Sequence, residues 1–165
     1  MKKDKIFIDT DIFLDTILKR KPHYEFSNKL IGLCEQGEVD GFTSSLVIAN
    51  IYYIVNKLTS HEKALQSISK IRSIIKVLPF TDKEIGESIN GGFKDFEDGV
   101  QYFISVNNKI PHLVTRNIKD FKKANISVLS PQDYLQSLIL KNNWTGMVLS
   151  DKLISLGGGA FISSF

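Results

Sequence analysis

The chain has 165 residues, enough for one compact domain and too few for two of ordinary size. Hydrophobic residues make up 42 % and charged residues 24 %, which excludes a disordered chain, and the single cysteine excludes a disulfide scaffold or a Cys-rich zinc site. With 21 basic and 18 acidic residues the net charge is +3, mildly basic and compatible with a nucleic-acid partner.

The apolar run at 6–8 is cut short by Asp9, far below the length of a secretory core. No stretch approaches the ~18–20 apolar residues of a membrane helix, so a cytoplasmic protein without a membrane partner is expected. Residues 5–8 read as a first strand ending at Asp9. Ile12, Phe13 and Ile17 then recur at helical spacing, which predicts a short helix with Asp15 as a solvated residue on it. Phe26, Leu30 and Leu33 mark a second helix, stopped by Gly37.

Residues 40–43 read as a second strand. Residues 46–58, rich in Ile, Tyr and Val, predict a long helix near the centre of the fold. Ser60 is placed to cap the next helix, with Leu65, Ile68, Ile71 and Ile75 as its apolar stripe. Residues 76–80 read as a third strand. Thr81 and Glu84 have capping-box spacing, opening a short helix that ends before Gly91-Gly92. A further helix is predicted from near Asp95 to about Asn107, then strands at 112–115 and 127–129. Ser130-Pro131 opens the last helix, with proline at a favoured first position.

Strand and helix alternate, which predicts an α/β fold with a central, mainly parallel sheet of five strands flanked by helices. Residues 1–140 read as the domain. Residues 141–165, with Trp144 and the triplet Gly157-Gly158-Gly159, read as an extension, either a tail or an arm packing on a neighbouring subunit.

Such sheets bind ligands beyond the carboxyl ends of their strands. Asp9 and Asp11 follow the first strand, and Asn50 lies on the helix after the second. Asp95 and Asp98 stand three apart at a helix start, and Asn117 and Asp120 follow the fourth strand. Carboxylates converging there repel one another unless a cation sits between them. Hard oxygen donors without a Cys/His set suit Mg2+ or Mn2+ better than zinc, and the chemistry such an ion supplies fits phosphodiester hydrolysis.

Each residue also has a plain structural alternative. Asp95 can be only a helix cap, Asn50 a core amide, and Asp120 a partner for Arg116 or a lysine. His23, His61 and His112 are widely spaced and read as structural, Cys34 as a buried inert thiol. Lys19-Arg20-Lys21 reads as solvated, or as a contact to phosphate, and Tyr52 and Tyr53 as core or dimer surface. Asp9-Thr10-Asp11 also matches the opening of a haloacid-dehalogenase-like phosphatase, but Phe13 stands where that family usually has Thr or Val.

The segments IFIDTDIFLD (6–15), TSSLVIANIYYI (43–54), DFEDGVQY (95–102) and LVTRNIKDF (113–121) together resemble a PIN domain. The resemblance spans about residues 5–138 in the expected order. It implies a parallel five-stranded sheet and a Mg2+- or Mn2+-dependent ribonuclease site. Many bacterial members of this size are toxins of the VapC type, so it also implies an RNA substrate, a small antitoxin partner and a homodimer.

Carried over by position, Asp9 and Asp98 match the family's acids, with Asp95 an additional acid beside Asp98, and Asn117 and Asp120 match the polar pair after the fourth strand, which the resemblance implies as metal ligands. Thr10, Asp11 and Thr115 support them. The departure is Asn50, where many active members carry glutamate. An amide adds no negative charge and cannot act as a base, which leaves a weakly cutting RNA- or protein-binding module as the alternative.

Overall fold

The computed structural model describes residues 3–141. Five strands, β1 (Asp4–Ile8), β2 (Val39–Ser44), β3 (Lys76–Leu78), β4 (His112–Val114) and β5 (Ser127–Leu129), form one sheet in the order β3-β2-β1-β4-β5. Every pair is parallel, with Phe7 opposite Phe42, Ile8 opposite Val114 and Ser44 opposite Leu78. Parallel pairing needs a crossover between successive strands. Among the described residues seven α-helices supply the first three crossovers or follow the last strand, α1 (Thr10–Ile17), α2 (Tyr24–Glu35), α3 (Ser45–Leu58), α4 (His61–Ile74), α5 (Asp82–Asn90), α6 (Phe96–Asn107) and α7 (Pro131–Lys141), and a 3-10 turn at Ile118–Phe121 lies between β4 and β5.

The central strand explains why its sequence is a continuous apolar run. Ile6, Phe7 and Ile8 are shielded on both faces, and they join Ile12, Phe13, Leu30, Ile31, Ile51, Leu113 and Val114 in one core. The helix ends follow their local chemistry. Ser44 and Ser60 accept hydrogen bonds from the backbone N–H of Val47 and Lys63, and Thr81 and Glu84 close a capping box. Gly37 ends α2 at φ +70°, a conformation that favours glycine, with its N–H bonded to the Cys34 carbonyl.

Three expectations change. The helix over 46–58 is not central: α3 buries only Val47, Ile51 and Val55, while Tyr53 stays 65 % exposed. The stripe on α4 holds at Ile71 and at Ile75 just beyond it, which are buried, but not at Leu65, which is exposed while Ala64 and Ser67 face inward. Asp15 is not solvated but completely buried, since nearly every side of the short α1 is enclosed by the fold. In addition, β3 stops at Leu78, where Pro79 has no N–H to extend the ladder. The proposed extension lies, from residue 142 on, outside the described residues. No helix among the described residues is long and apolar enough to cross a membrane.

Candidate active site

The strand order reverses between β1 and β4, and in a parallel sheet that reversal opens a crevice at the carboxyl ends. A cleft of about 450 Å3 lies there. Asp9, Thr10 and Asp11 reach it from the end of β1 and the start of α1, Asn50 from α3, Asp95 and Asp98 from the start of α6, and Asn117 and Asp120 from the segment after β4. All the acids expected to form the site therefore meet, although they come from segments more than 100 residues apart. Thr115 lies buried behind the cleft.

Asp9 is fixed from three directions. Its Oδ1 accepts from the Thr10 backbone N–H at 2.6 Å and from Gln101 Nε2 at 2.9 Å, and its Oδ2 accepts from the Thr115 hydroxyl at 2.7 Å. Thr115 Oγ1 in turn accepts the Asn117 backbone N–H at 2.9 Å. One carboxylate thus ties α1, α6 and the loop after β4 together. Burial pushes its pKa up, against the lowering effect of those donors.

Asp98 contrasts with it. Burial raises its pKa first, and the neighbouring carboxylates of Asp9, Asp95, Asp120 and Glu97 raise it further, to about 7. Asp95 has a structural task as well as its place in the cleft: its Oδ1 accepts the backbone N–H groups of Glu97 at 2.8 Å and Asp98 at 3.2 Å, capping α6. Asp11 pairs with Arg20 at 3.4 Å, which brings one residue of the basic triplet to the cleft rim. Arg116 does not pair with Asp120; it forms a 2.6 Å ion pair with the buried Asp15. Asp15, held also by the Ser27 hydroxyl, has a raised pKa because burial outweighs Arg116.

Two lining residues escaped the sequence reading. Glu97 stands opposite Asn50, whose Nδ2 donates to its Oε1 at 2.6 Å, and Gln101 is the buried donor to Asp9. Their spacing was a usable signal: residues 97, 98 and 101 share one helical face, so the face carrying Asp98 includes both.

The polar lining is carboxylates, amides and the hydroxyls of Thr10 and Tyr53, without a thiol or imidazole, which is an all-oxygen and amide set that suits a hard cation. Among the described residues no three His, Cys, Asp or Glu side chains stand close enough to enclose an ion unaided. Gln101 adds a buried carbonyl oxygen with no hydrogen-bond partner among the described residues.

A PIN domain family model matches residues 5–119. The chain is 28 % identical over 141 residues to Ribonuclease VapC1 of Aquifex aeolicus (strain VF5), a match covering 82 % of this chain and 96 % of that one. Among solved structures, VapC20 of Mycobacterium tuberculosis, a sarcin-ricin loop cleaving toxin, superposes with a TM-score of 0.59 at 15 % identity, covering 73 % of this chain and 95 % of that one. VapBC2 of Rickettsia felis, solved bound to a DNA fragment from its promoter, gives 0.57 at 22 % identity, covering 76 % and 97 %. Both share the fold.

Proposed function

Because the chain belongs to the PIN domain family, we propose that it is a Mg2+- or Mn2+-dependent ribonuclease acting as the toxin of a toxin–antitoxin pair. The observation that carries the reading is the meeting of Asp9, Asp98 and Asp120 in one cleft at the strand-order reversal. Family membership also sets aside the dehalogenase-like phosphatase, although Asp9-Thr10-Asp11 has the required spacing.

Asp9 and Asp98 would hold the ion, with Asp120 and Asn117 facing it from the β4 side. When bound, it lowers the pKa of an attacking water and offsets charge developing on the phosphoryl oxygens. Thr115 and Gln101 keep Asp9 oriented, so that no carboxylate has to reorganise as the RNA phosphate enters. Asp95 keeps the first turn of α6, and with it Asp98, in register. Arg20, paired with Asp11 at the rim, would hold a flanking phosphate, so RNA binding should weaken as salt rises.

A small antitoxin fits the same reading, since relatives named for such pairs share the fold. The half-uncovered face of α3, with Tyr53 and Leu58 exposed, is the surface for a second copy of the chain. A strictly monomeric species in sedimentation at high concentration would remove that dimer. The nuclease itself is tested on single-stranded RNA with Mn2+ and with chelator, using wild type, Asp9→Asn and Asp98→Asn. Cleavage should need the metal and fail in both variants; cleavage in chelator, or in both variants, would overturn the reading.

A further inference from the structure

Asn50 carries no charge, yet it stands in a cleft whose lining includes six acids, and its amide is not idle. Its Nδ2 donates to Glu97 Oε1 at 2.6 Å, across the gap between α3 and α6. Thr10, next to Asp9, makes a second and longer contact to the same oxygen at 3.5 Å. Glu97 is therefore held from α3 and α1, not from its own helix. Its other oxygen accepts no hydrogen bond among the described residues.

A first-turn glutamate that served only the helix dipole would point into solvent. Here the capping task already belongs to Asp95, and Glu97 lines the cleft beside Asp98. Its half-buried carboxylate is kept in place by a neutral donor. A carboxylate at position 50, so close to Oε1, would be a like charge and would push Glu97 away. Gln101, one turn further along α6, lines the same cleft, and its buried carbonyl oxygen has no hydrogen-bond partner among the described residues.

We propose that Glu97 supplies the acid that position 50 lacks: the carboxylate has moved from α3 to α6, and Asn50 is the positioning residue that aims it. The cleft is then not one charge short. This rests on the divalent-metal nuclease reading, and it assigns to Glu97 a direct share in holding the ion.

The test is Mn2+ binding to the full chain, followed by the free-ion signal in electron paramagnetic resonance, alongside RNA cleavage. Glu97→Gln should weaken Mn2+ affinity about tenfold or more, within the ~10–100-fold range seen when groups supporting a metal site are lost. Asn50→Ala should weaken it less. Asn50→Glu should restore most of the affinity in the Glu97→Gln background, because donor and acceptor are then exchanged, and should bring no gain in the wild-type background.

Two results would overturn the proposal while leaving the nuclease standing. One is unchanged Mn2+ affinity in Glu97→Gln; the other is a tenfold gain from Asn50→Glu in the wild type, the behaviour of a site that truly lacks an acid. A wild type that binds no Mn2+ and cleaves in chelator would instead remove the nuclease reading, and this inference with it. Melting temperatures in chelator separate misfolding from lost metal binding, since the restored double variant must fold to bind.

Discussion

Asp9 and Asp15 bracket the same short helix, and both are buried, but the fold treats them in opposite ways. Asp15 receives a cation from the protein itself, the Arg116 guanidinium at 2.6 Å, with the Ser27 hydroxyl on its other oxygen. Asp9 receives only neutral donors, and the charged neighbours it interacts with are further acids, Asp11, Asp98 and Glu97. One acid is a structural pair completed inside the chain. The other belongs to a cluster whose charge the described residues leave unbalanced. Burial does not by itself mark a functional acid; what marks it is burial beside like charge.

The comparison predicts opposite consequences of substitution. The largest loss should come from Arg116→Ala, which leaves Asp15 buried without its cation; unfolding in urea should show a destabilisation of about 2–3 kcal/mol, moderated by the partial exposure of Arg116. Asp98→Asn should do the reverse. In chelator at pH 8 it should stabilise the protein by roughly 1–3 kcal/mol, because an ionised Asp98 is opposed by its surroundings.

The sign follows from the raised pKa of Asp98, about 7 against an ordinary value of 3.8. Between those values the folded state holds a proton that the unfolded chain has lost, so metal-free stability falls as pH rises. The gain from Asp98→Asn is therefore full above about pH 7 and fades toward pH 4. An equal gain at pH 4 and pH 8 would show that the crowding of charge is not its cause.

A smaller effect is expected where Asp9 is oriented. Thr115→Val removes one of its three donors and should cost about 1 kcal/mol in urea, with a proportionally larger loss of cleavage than of stability. The smallest concerns Cys34, whose thiol burial pushes up to about 12, with Asp40 adding to it. It should resist thiol reagents at pH 8 until the protein unfolds. Rapid labelling of the native protein would contradict its place in the core.

Much of this was readable in the sequence because strands of a buried parallel sheet are short apolar runs, and the acids that end them cannot lie elsewhere. Asp9 after residues 6–8, and Asn117 and Asp120 after residues 112–115, are found by that rule alone. Asp15 was misread because helical spacing separates faces only when one face meets solvent, and α1 has scarcely any such face. Its partner Arg116 is 101 residues away, a distance no local pattern spans. Glu97 differs: its spacing from Asp98 and Gln101 places it on the same face, but its hydrogen bond to Asn50 depends on how α6 is turned toward α3, which only the packed structure sets. The same holds for α3, whose apolar composition suggested a central helix while only one stripe, Val47, Ile51 and Val55, is fully buried.

The claim that the cleft's unbalanced charge is completed by a divalent cation is tested most directly by thermal unfolding at pH 8, with and without Mn2+, in wild type and Asp98→Asn. Without metal the variant should melt at the higher temperature. Saturating Mn2+, at about 100 times its dissociation constant, should stabilise the wild type by roughly 2.7 kcal/mol and leave the variant almost unmoved, so that the order of the two melting temperatures closes or inverts. Equal shifts in both proteins, or none in the wild type, would contradict the account.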